Sequence, residues 1–131
     1  MIRLCTLTAA LLFLNACSSD YYYYDHGKKV RLTRLHETTT IGDKPVTWYK
    51  RPDGKRVGVR NELIVQCRKG VDCPKHLAKY HPKSVSPLSD TLWLIGTASQ
   101  HRLFEIADQL RHDPDIRLAE PNLVRKKYLR R

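Results

Sequence analysis

Two segments of this chain are apolar on consecutive residues, and this feature limits the folds that the chain can adopt. They are Leu63, Ile64 and Val65, and the run Leu92, Trp93, Leu94 and Ile95. Side chains of a β-strand alternate between its two faces, so both faces of these strands carry hydrophobic groups. We expect helices to cover one face. The other face must be covered either by an N-terminal hairpin that contains Trp48 and Tyr49 or by a partner protein.

Length and charge restrict the organisation of the chain further. It has 131 residues, and its 24 Lys and Arg residues outnumber 13 Asp and Glu residues, which gives a formal net charge of +11. This length has room for one small domain and excludes a multidomain enzyme. The strong positive charge favours an acidic or anionic partner.

The N-terminus has the pattern of an export signal. A short basic start is followed by an apolar stretch at residues 4–14, which is too short to span a bilayer. The sequence Leu14-Asn15-Ala16-Cys17 that follows resembles the lipobox of bacterial lipoproteins. The resemblance implies that residues 1–16 are a signal peptide and that Cys17 is acylated. Because Ser18 follows the cysteine, it also implies a lipid anchor in the cell envelope, at the periplasmic face of the outer membrane.

The remaining cysteines form one candidate pair. Cys5 lies in the signal and Cys17 is the lipidation site, so Cys67 and Cys73 are left for a disulfide in an oxidising compartment. An alternative is a Cys2His2 metal site that adds His76 and His81. Its spacing matches no zinc module closely, and exported thiols tend to oxidise, so we predict the disulfide and no metal.

Residues 17–45 have little periodic apolar content, and we interpret them as a tether with one short strand at residues 30–35. Four consecutive tyrosines lie near its start, at residues 21–24. They are typical of an interfacial spacer near lipid headgroups, although they could also stack on a glycan or a nucleic acid.

A folded unit is expected from Val46 onward. Residues 46–59 contain two strand-like stretches around Pro52, Asp53 and Gly54, which predicts a β-hairpin. Further strands are predicted at residues 62–67, 84–88, 91–97 and 116–119, with a short helix at residues 75–80. A longer helix should start after Ser99, with Leu103, Ile106, Ala107 and Leu110 on one face.

The order after the hairpin is strand, helix, strand, strand, helix, strand. This order predicts an α+β fold of the ferredoxin-like class, an open sandwich in which an antiparallel sheet carries two helices on one face. With the preceding hairpin, the domain should span residues 46–124, and residues 125–131 should form a basic C-terminal tail.

Several motifs along this domain resemble the pro-segment of subtilisin-family serine proteases. The resemblance covers about residues 56–125 and is carried by Arg60-Asn61-Glu62-Leu63-Ile64-Val65-Gln66, by Gly70-Val71, and most specifically by Asp113-Pro114-Asp115-Ile116-Arg117-Leu118-Ala119-Glu120-Pro121-Asn122. A pro-segment normally precedes its protease, whereas the sequence here ends at Arg131. The chain is therefore similar to free-standing propeptide-like inhibitors and to external chaperones of kexin-like bacterial proteases.

The resemblance implies a mode of binding. In the family, the free face of the sheet packs on two helices of the protease, so we expect Trp93 and Ile95 to contact a subtilisin-like or kexin-like partner. By motif position, Glu120 and Asn122 would accept hydrogen bonds from the N-termini of those helices. The alternative is that residues 120–122 only form a turn that closes the last strand.

The tail would enter the substrate cleft as an extended peptide. A cleft lined with acidic groups would accept pairs of basic residues, and a cleft that prefers aromatic groups would accept the tyrosine, so the register stays open. The alternative is a solvated basic terminus. The candidate tail residues are Lys126, Lys127, Tyr128, Leu129, Arg130 and Arg131.

The sequence contains no motif for catalysis. Its six histidines are scattered, and it has no Gly-x-Ser-x-Gly elbow, His-Glu-x-x-His helix or phosphate-binding glycine loop. We therefore expect a protein that is not an enzyme and needs no cofactor. If it binds the native protease more tightly than the unfolded protease, inhibition and assisted folding would both follow from this one difference in affinity.

A function of another class is also consistent with the sequence. The charge of +11, the basic C-terminus and the tyrosine run would suit a basic surface lipoprotein that binds anionic lipid, glycan or nucleic acid. Export argues against nucleic acid, and the basic residues are spread along the chain rather than grouped in one helix.

Overall fold

A computed structural model of the protein describes residues 21–125, which form seven strands, two α-helices and one 3₁₀ turn. The strands are β1 (Tyr21–Asp25), β2 (Lys28–Ile41), β3 (Lys44–Lys50), β4 (Arg56–Cys67), β5 (Ser84–Pro87), β6 (Trp93–Gly96) and β7 (Ile116–Arg125). The helices are α1 (Cys73–Leu77), which continues into the 3₁₀ turn Ala78–Tyr80, and α2 (Gln100–Arg111). Within residues 21–125, no helix is both long and apolar enough to cross a bilayer.

Strand β4 is the centre of the sheet. Residues 56–60 of β4 pair with β3, and residues 62–65 pair with β6. Because β7 pairs with both stretches, it occupies one side of β4, and β3 and β6 share the other side. The strand order is β1-β2-β3-β4-β6-β5, with β7 beside β4, and all neighbours are antiparallel.

The predicted ferredoxin-like class is wrong. The described residues are 53% strand and 19% helix, and they form a curled half-barrel with two short helices instead of a two-helix sandwich. The physical reason is that β1, β2 and β3 extend the sheet from the first half of β4, while α1, with five residues, can cover little of it. The predicted order of elements after residue 62 and the hairpin formed by β3 and β4 are nevertheless present.

Residues 21–45 belong to the folded unit and are not a tether. β1 and β2 form an antiparallel hairpin, and β2 runs well beyond the strand expected at residues 30–35. The consecutive tyrosines alternate across β1, so that the buried Tyr23 packs in the main core together with Leu32 of β2. Tyr21 stacks on Phe104 of α2 with ring centroids 4.4 Å apart. The folded unit therefore includes the segment before Val46.

The main core lies between the inner face of the sheet and α2. Ser99 caps α2 by accepting a hydrogen bond from the backbone N–H of Arg102 at 3.1 Å, as the sequence predicts. The predicted apolar face of this helix is confirmed, because all four of its residues are buried. It packs against the inner face of the central strands, and the largest fully buried side chains there are Tyr49, Leu63, Ile95, Leu103, Ile106 and Leu110.

A second, smaller apolar cluster lies on the opposite side of the sheet, which we call the outer face. Its buried members are Val46, Trp48 and Val124. Trp48 lies opposite Gly58 of β4 in the register of the two strands. Glycine is needed there, because a Cβ atom at Gly58 would lie 2.4 Å from Cγ1 of Val46 and 3.2 Å from the Trp48 ring. The missing side chain lets Trp48 pack closely over β4.

The predicted disulfide is confirmed. Cys67 at the end of β4 and Cys73 at the start of α1 are bonded, with their Cα atoms 5.7 Å apart. The alternative Cys2His2 site is thereby excluded, because both sulfur atoms are used in the bond. The bridge closes a short loop and should stabilise the fold by about 2 kcal/mol through loop entropy.

Substitution of Gly58 by Ala should destabilise the protein by about 1–3 kcal/mol, because the added methyl group overpacks the contact between Trp48 and β4. The measurement is the free energy of unfolding in urea. The same substitution in a Val46→Ala background should cost clearly less, since the nearest atom is then removed. An equal cost in both backgrounds would show that the close contact with Val46 is unimportant.

Candidate functional site

The outer face continues from the Trp48 cluster towards β6 and is open there. Ile64 of β4 and Leu94 of β6 are paired neighbours and lie on this face, between residues whose side chains enter the main core. Both are partly buried. The sequence correctly predicted that these strands are apolar on both faces, and within residues 21–125 no helix or strand covers this part of the outer face.

The two sheet residues chosen from the sequence as protease contacts lie on the other face. Ile95 is fully buried in the main core, and Trp93 packs against the same core. They are paired with Leu63 and Val65, which are also core residues. Their assignment to the free face is therefore wrong, since in this strand the residues of opposite parity face outward.

A groove of about 600 Å³ lies on the open part of the outer face, and we call it the outer groove. The turn between β2 and β3 borders it on one side, and the exposed Leu88, after β5, borders it on another. The β4, β6 and β7 side chains that line it are Arg60, Glu62, Ile64, Leu94, Asn122, Leu123 and Val124.

A polar network forms one rim of the outer groove. Glu62 accepts hydrogen bonds from Nζ of Lys44 and, at 2.9 Å, from Nδ2 of Asn122. Burial acts to raise the pKa of Glu62, but these two hydrogen bonds outweigh it and hold the pKa below the usual glutamate value. Arg60 donates to the backbone carbonyl of Ile41 at 3.0 Å and ties the β2–β3 turn to β4.

The two residues predicted to cap helices of a partner, Glu120 and Asn122, differ in their hydrogen bonds. Asn122 donates a hydrogen bond from Nδ2 to Glu62, whereas its Oδ1, the atom predicted to accept from a partner helix, has no hydrogen bond within residues 21–125. Glu120 lies opposite Ile64 in the register of β7 and β4, on the outer face. Within residues 21–125, the Glu120 side chain has no hydrogen bond or ion pair. Residues 120–122 continue β7 and do not form the alternative turn.

The tail residues from Lys126 to Arg131, together with Cys17, lie outside the described residues. Strand β7 extends to Arg125, whose backbone pairs with Val57. The proposed roles of the tail and of the lipidation site therefore stay predictions.

A second polar cluster lies next to the disulfide. His76 of α1 has Nε2 at 2.7 Å from Asp113 and Nδ1 at 3.7 Å from Asp115. The Tyr80 hydroxyl and the backbone N–H of Asp115 also donate to Asp113. Among residues 21–125, His76, Asp113 and Asp115 are the group that could hold a cation. Because the Asp113 oxygens already accept these hydrogen bonds, we interpret the cluster as a tie between α1 and the turn before β7.

The hydrogen bonds of this cluster shift two pKa values. Burial acts to raise the pKa of Asp113, but the donors Tyr80, the Asp115 backbone and His76 lower it to about 2. Burial and the neighbouring Asp113 carboxylate raise the pKa of Tyr80 to about 12. The Asp113 carboxylate therefore stays ionised in the native state far below neutral pH.

A third group combines aromatic and cationic side chains. Tyr22 and Tyr24 of β1 lie opposite Arg31 and Lys29 of β2, and Arg111 of α2 lies beside both tyrosine rings. We call this group the cation–aromatic surface. Sequence reasoning noted the tyrosines but missed the surface, because only the pairing of β1 with β2 brings the cations beside the rings.

No protein-family model matches this chain, and no curated protein or solved structure is significantly similar to it.

Substitution of Asp113 by Asn should lower the free energy of unfolding at neutral pH by about 1–3 kcal/mol, because the amide nitrogen cannot accept the bonds from His76 and Tyr80. Urea unfolding measures this change. Asp90→Asn is the control, since Asp90 is exposed and its side chain has no partner among residues 21–125.

The same variants test the pH dependence. Folding lowers the pKa of Asp113 from about 3.9 in the unfolded chain to about 2. The stabilisation that the ionised Asp113 carboxylate gives the native state is therefore complete above the unfolded pKa. It is lost as the pH falls from about 4 towards 2, and its size is on the order of 2 kcal/mol. The wild-type protein and Asp90→Asn should show this loss, and Asp113→Asn should not. The same acid dependence in all three proteins would contradict the assignment.

Proposed function

We propose that the chain binds a subtilisin-like or kexin-like serine protease through its outer face, as a propeptide-like inhibitor or folding helper. The observation that carries this proposal is the open, apolar outer groove beside a glutamate without a partner in the described residues. The resemblance of residues 113–122 to protease pro-segments supports it, because this motif supplies Glu120 on the same face.

The proposal does not require a ferredoxin-like sandwich. It requires an apolar sheet face that a partner can cover, and Ile64, Leu94 and Leu88 provide such a face around the groove. Burial of apolar area there would contribute roughly 25 cal/mol per Å² before the costs of association are subtracted. The proposed apolar contacts are therefore Ile64 and Leu94, and not Trp93 and Ile95.

Glu120 is the proposed polar contact. A partly buried carboxylate on a binding face is costly unless it gains hydrogen bonds, and the N-terminus of a partner helix offers unpaired N–H groups and a positive dipole end. Asn122 holds Glu62 through Nδ2 and keeps the rim of the groove in place, and its Oδ1 can still accept a hydrogen bond from a partner helix.

Inhibition and assisted folding would use the same surface. A protein that binds the native protease and not the unfolded protease stabilises the native state of the protease by mass action. Tail residues in the substrate cleft would add inhibition to this effect, since a strand-like peptide there blocks access of substrate.

Substitution of Ile64 or Leu94 by Asp should weaken binding to the partner protease about tenfold or more, because a charge then enters the apolar contact. The measurement is inhibition of purified subtilisin-like and kexin-like proteases with a chromogenic peptide substrate. Gln109→Asp, on the exposed side of α2, is the control for added negative charge and should inhibit normally. Circular dichroism of each variant is the check that it is folded.

Glu120→Gln is a milder second variant, which keeps the shape of the side chain and removes its charge. It should weaken binding severalfold. If the wild-type protein binds none of these proteases, the proposal fails. If the Asp variants are folded and inhibit like the wild type, the outer face is not the contact.

Deletion of residues 126–131 should abolish inhibition while binding through the outer face persists in weakened form. The deletion leaves β7 intact as far as Arg125, so the thermal stability should be unchanged. Inhibition assays and biolayer interferometry on the same protease separate the two effects. Full inhibition by the truncated protein would exclude insertion of the tail into the cleft.

A further inference from the structure

The cation–aromatic surface is built by the register of one hairpin. Tyr22 pairs with Arg31 and Tyr24 pairs with Lys29, so all four side chains lie on the same side of β1 and β2. Lys29 Nζ lies 4.3 Å from the centroid of the Tyr22 ring. The Arg111 guanidinium carbon lies 5.2 Å from Tyr22 and 5.1 Å from Tyr24. The surface therefore holds Lys29 and Arg111 against aromatic rings, with Arg31 beside them on the same side of the hairpin.

The cations of this surface have no carboxylate paired with them in the part of the chain that the structure describes. Within residues 21–125, no salt bridge involves Lys29, Arg31 or Arg111, whereas Lys44, Arg51, Arg56 and Arg102 each pair with a carboxylate. The nearest acidic groups lie at its borders. Asp108 of α2 accepts the hydrogen bond of the Tyr22 hydroxyl at 2.7 Å, and Asp25 at the end of β1 pairs with His26. Lys29 and Arg31 are exposed and can therefore reach an anionic ligand.

Two features indicate which anion this surface suits. Tyrosine, with an apolar ring and a polar hydroxyl, is enriched where proteins meet lipid headgroups, and lysine and arginine there gain from anionic lipid. Tyr21 also lies only four residues after Cys17. Since a chain extends at most about 3.6 Å per residue, acylation of Cys17 would hold β1 within about 14 Å of the anchor.

We infer that the cation–aromatic surface binds the phosphate groups of anionic phospholipids and orients the protein on the membrane. Its position at the start of β2 places this contact away from the outer groove, which borders the end of β2. The inference does not depend on the protease proposal.

The test uses the chain from Ser18 onward, so that neither the signal nor an acyl chain binds lipid. All buried residues described above lie between Tyr23 and Val124, so this chain keeps the whole described core. Its co-sedimentation is measured with vesicles of phosphatidylcholine alone and with vesicles in which about a third of the lipid is phosphatidylglycerol. We expect binding at least about tenfold stronger to the anionic vesicles, weakening as salt is added.

The variant Lys29→Glu with Arg31→Glu should reduce binding to anionic vesicles about tenfold or more. The matched control is Lys75→Glu with Lys79→Glu on α1 and the 3₁₀ turn, which changes the net charge equally at exposed residues elsewhere. This control should change binding less than about threefold.

Three results would overturn the inference. In the first, binding does not differ between the two kinds of vesicle. In the second, the two double variants lose binding equally, which makes net charge alone responsible. In the third case the Lys29 and Arg31 variant keeps its vesicle binding but loses binding to a DNA oligonucleotide or to heparin. That result would assign the surface to a polyanion instead of a lipid.

Discussion

The structure depends on the pairing of one strand with two different neighbours. β4 has β7 along one side, but on the other side it pairs first with β3 and then with β6. The register between β4 and β7 shifts between Val59 and Leu63, close to the point where the other neighbour changes. Bulges of this kind bend a strand and increase its twist. The bend at the centre of β4 is what allows one sheet to curl into a half-barrel instead of lying flat on two helices.

The bend also divides the outer face into two regions, one covered by the chain itself and one that the described residues leave uncovered. Around the first half of β4, the absent side chain of Gly58 lets Trp48 cover the face from within the chain. Around the second half, no described element covers Ile64 and Leu94. Lys44 and Asn122 hydrogen-bond to the Glu62 carboxylate and hold it at the rim of the groove there. A carboxylate with satisfied hydrogen bonds can stay partly buried without being neutralised, and its neighbours stay in place with it.

The sequence predicted part of this structure from local patterns. α2 with its Ser99 cap, the β3–β4 hairpin and the disulfide all follow from spacing within about fifteen residues. The outward residues of β6 could not be chosen in this way, because a run of four apolar residues has no alternation to show which parity faces the core. Pairing of Ile95 with Leu63 decides it. The hairpin of β1 and β2 was missed for a similar reason, since consecutive tyrosines hide the period of two and Tyr23 is buried only by distant residues.

The long strand β2 gives the two proposed surfaces a defined separation. Arg31 and Ile41 lie ten residues apart on this strand, and two of these residues are taken up by the bulge between Arg34 and Glu37. At about 3.3 Å for each remaining step, the separation is roughly 26 Å. Partners at its two ends would not compete for the same side chains. Without an element that has two arrangements, the two sites would not be coupled. Membrane attachment would then act on protease binding mainly through local concentration, since an anchored inhibitor and a protease held near the same membrane meet as if at higher concentration. In this proposed arrangement an anchor would raise occupancy of the outer groove without changing its intrinsic affinity.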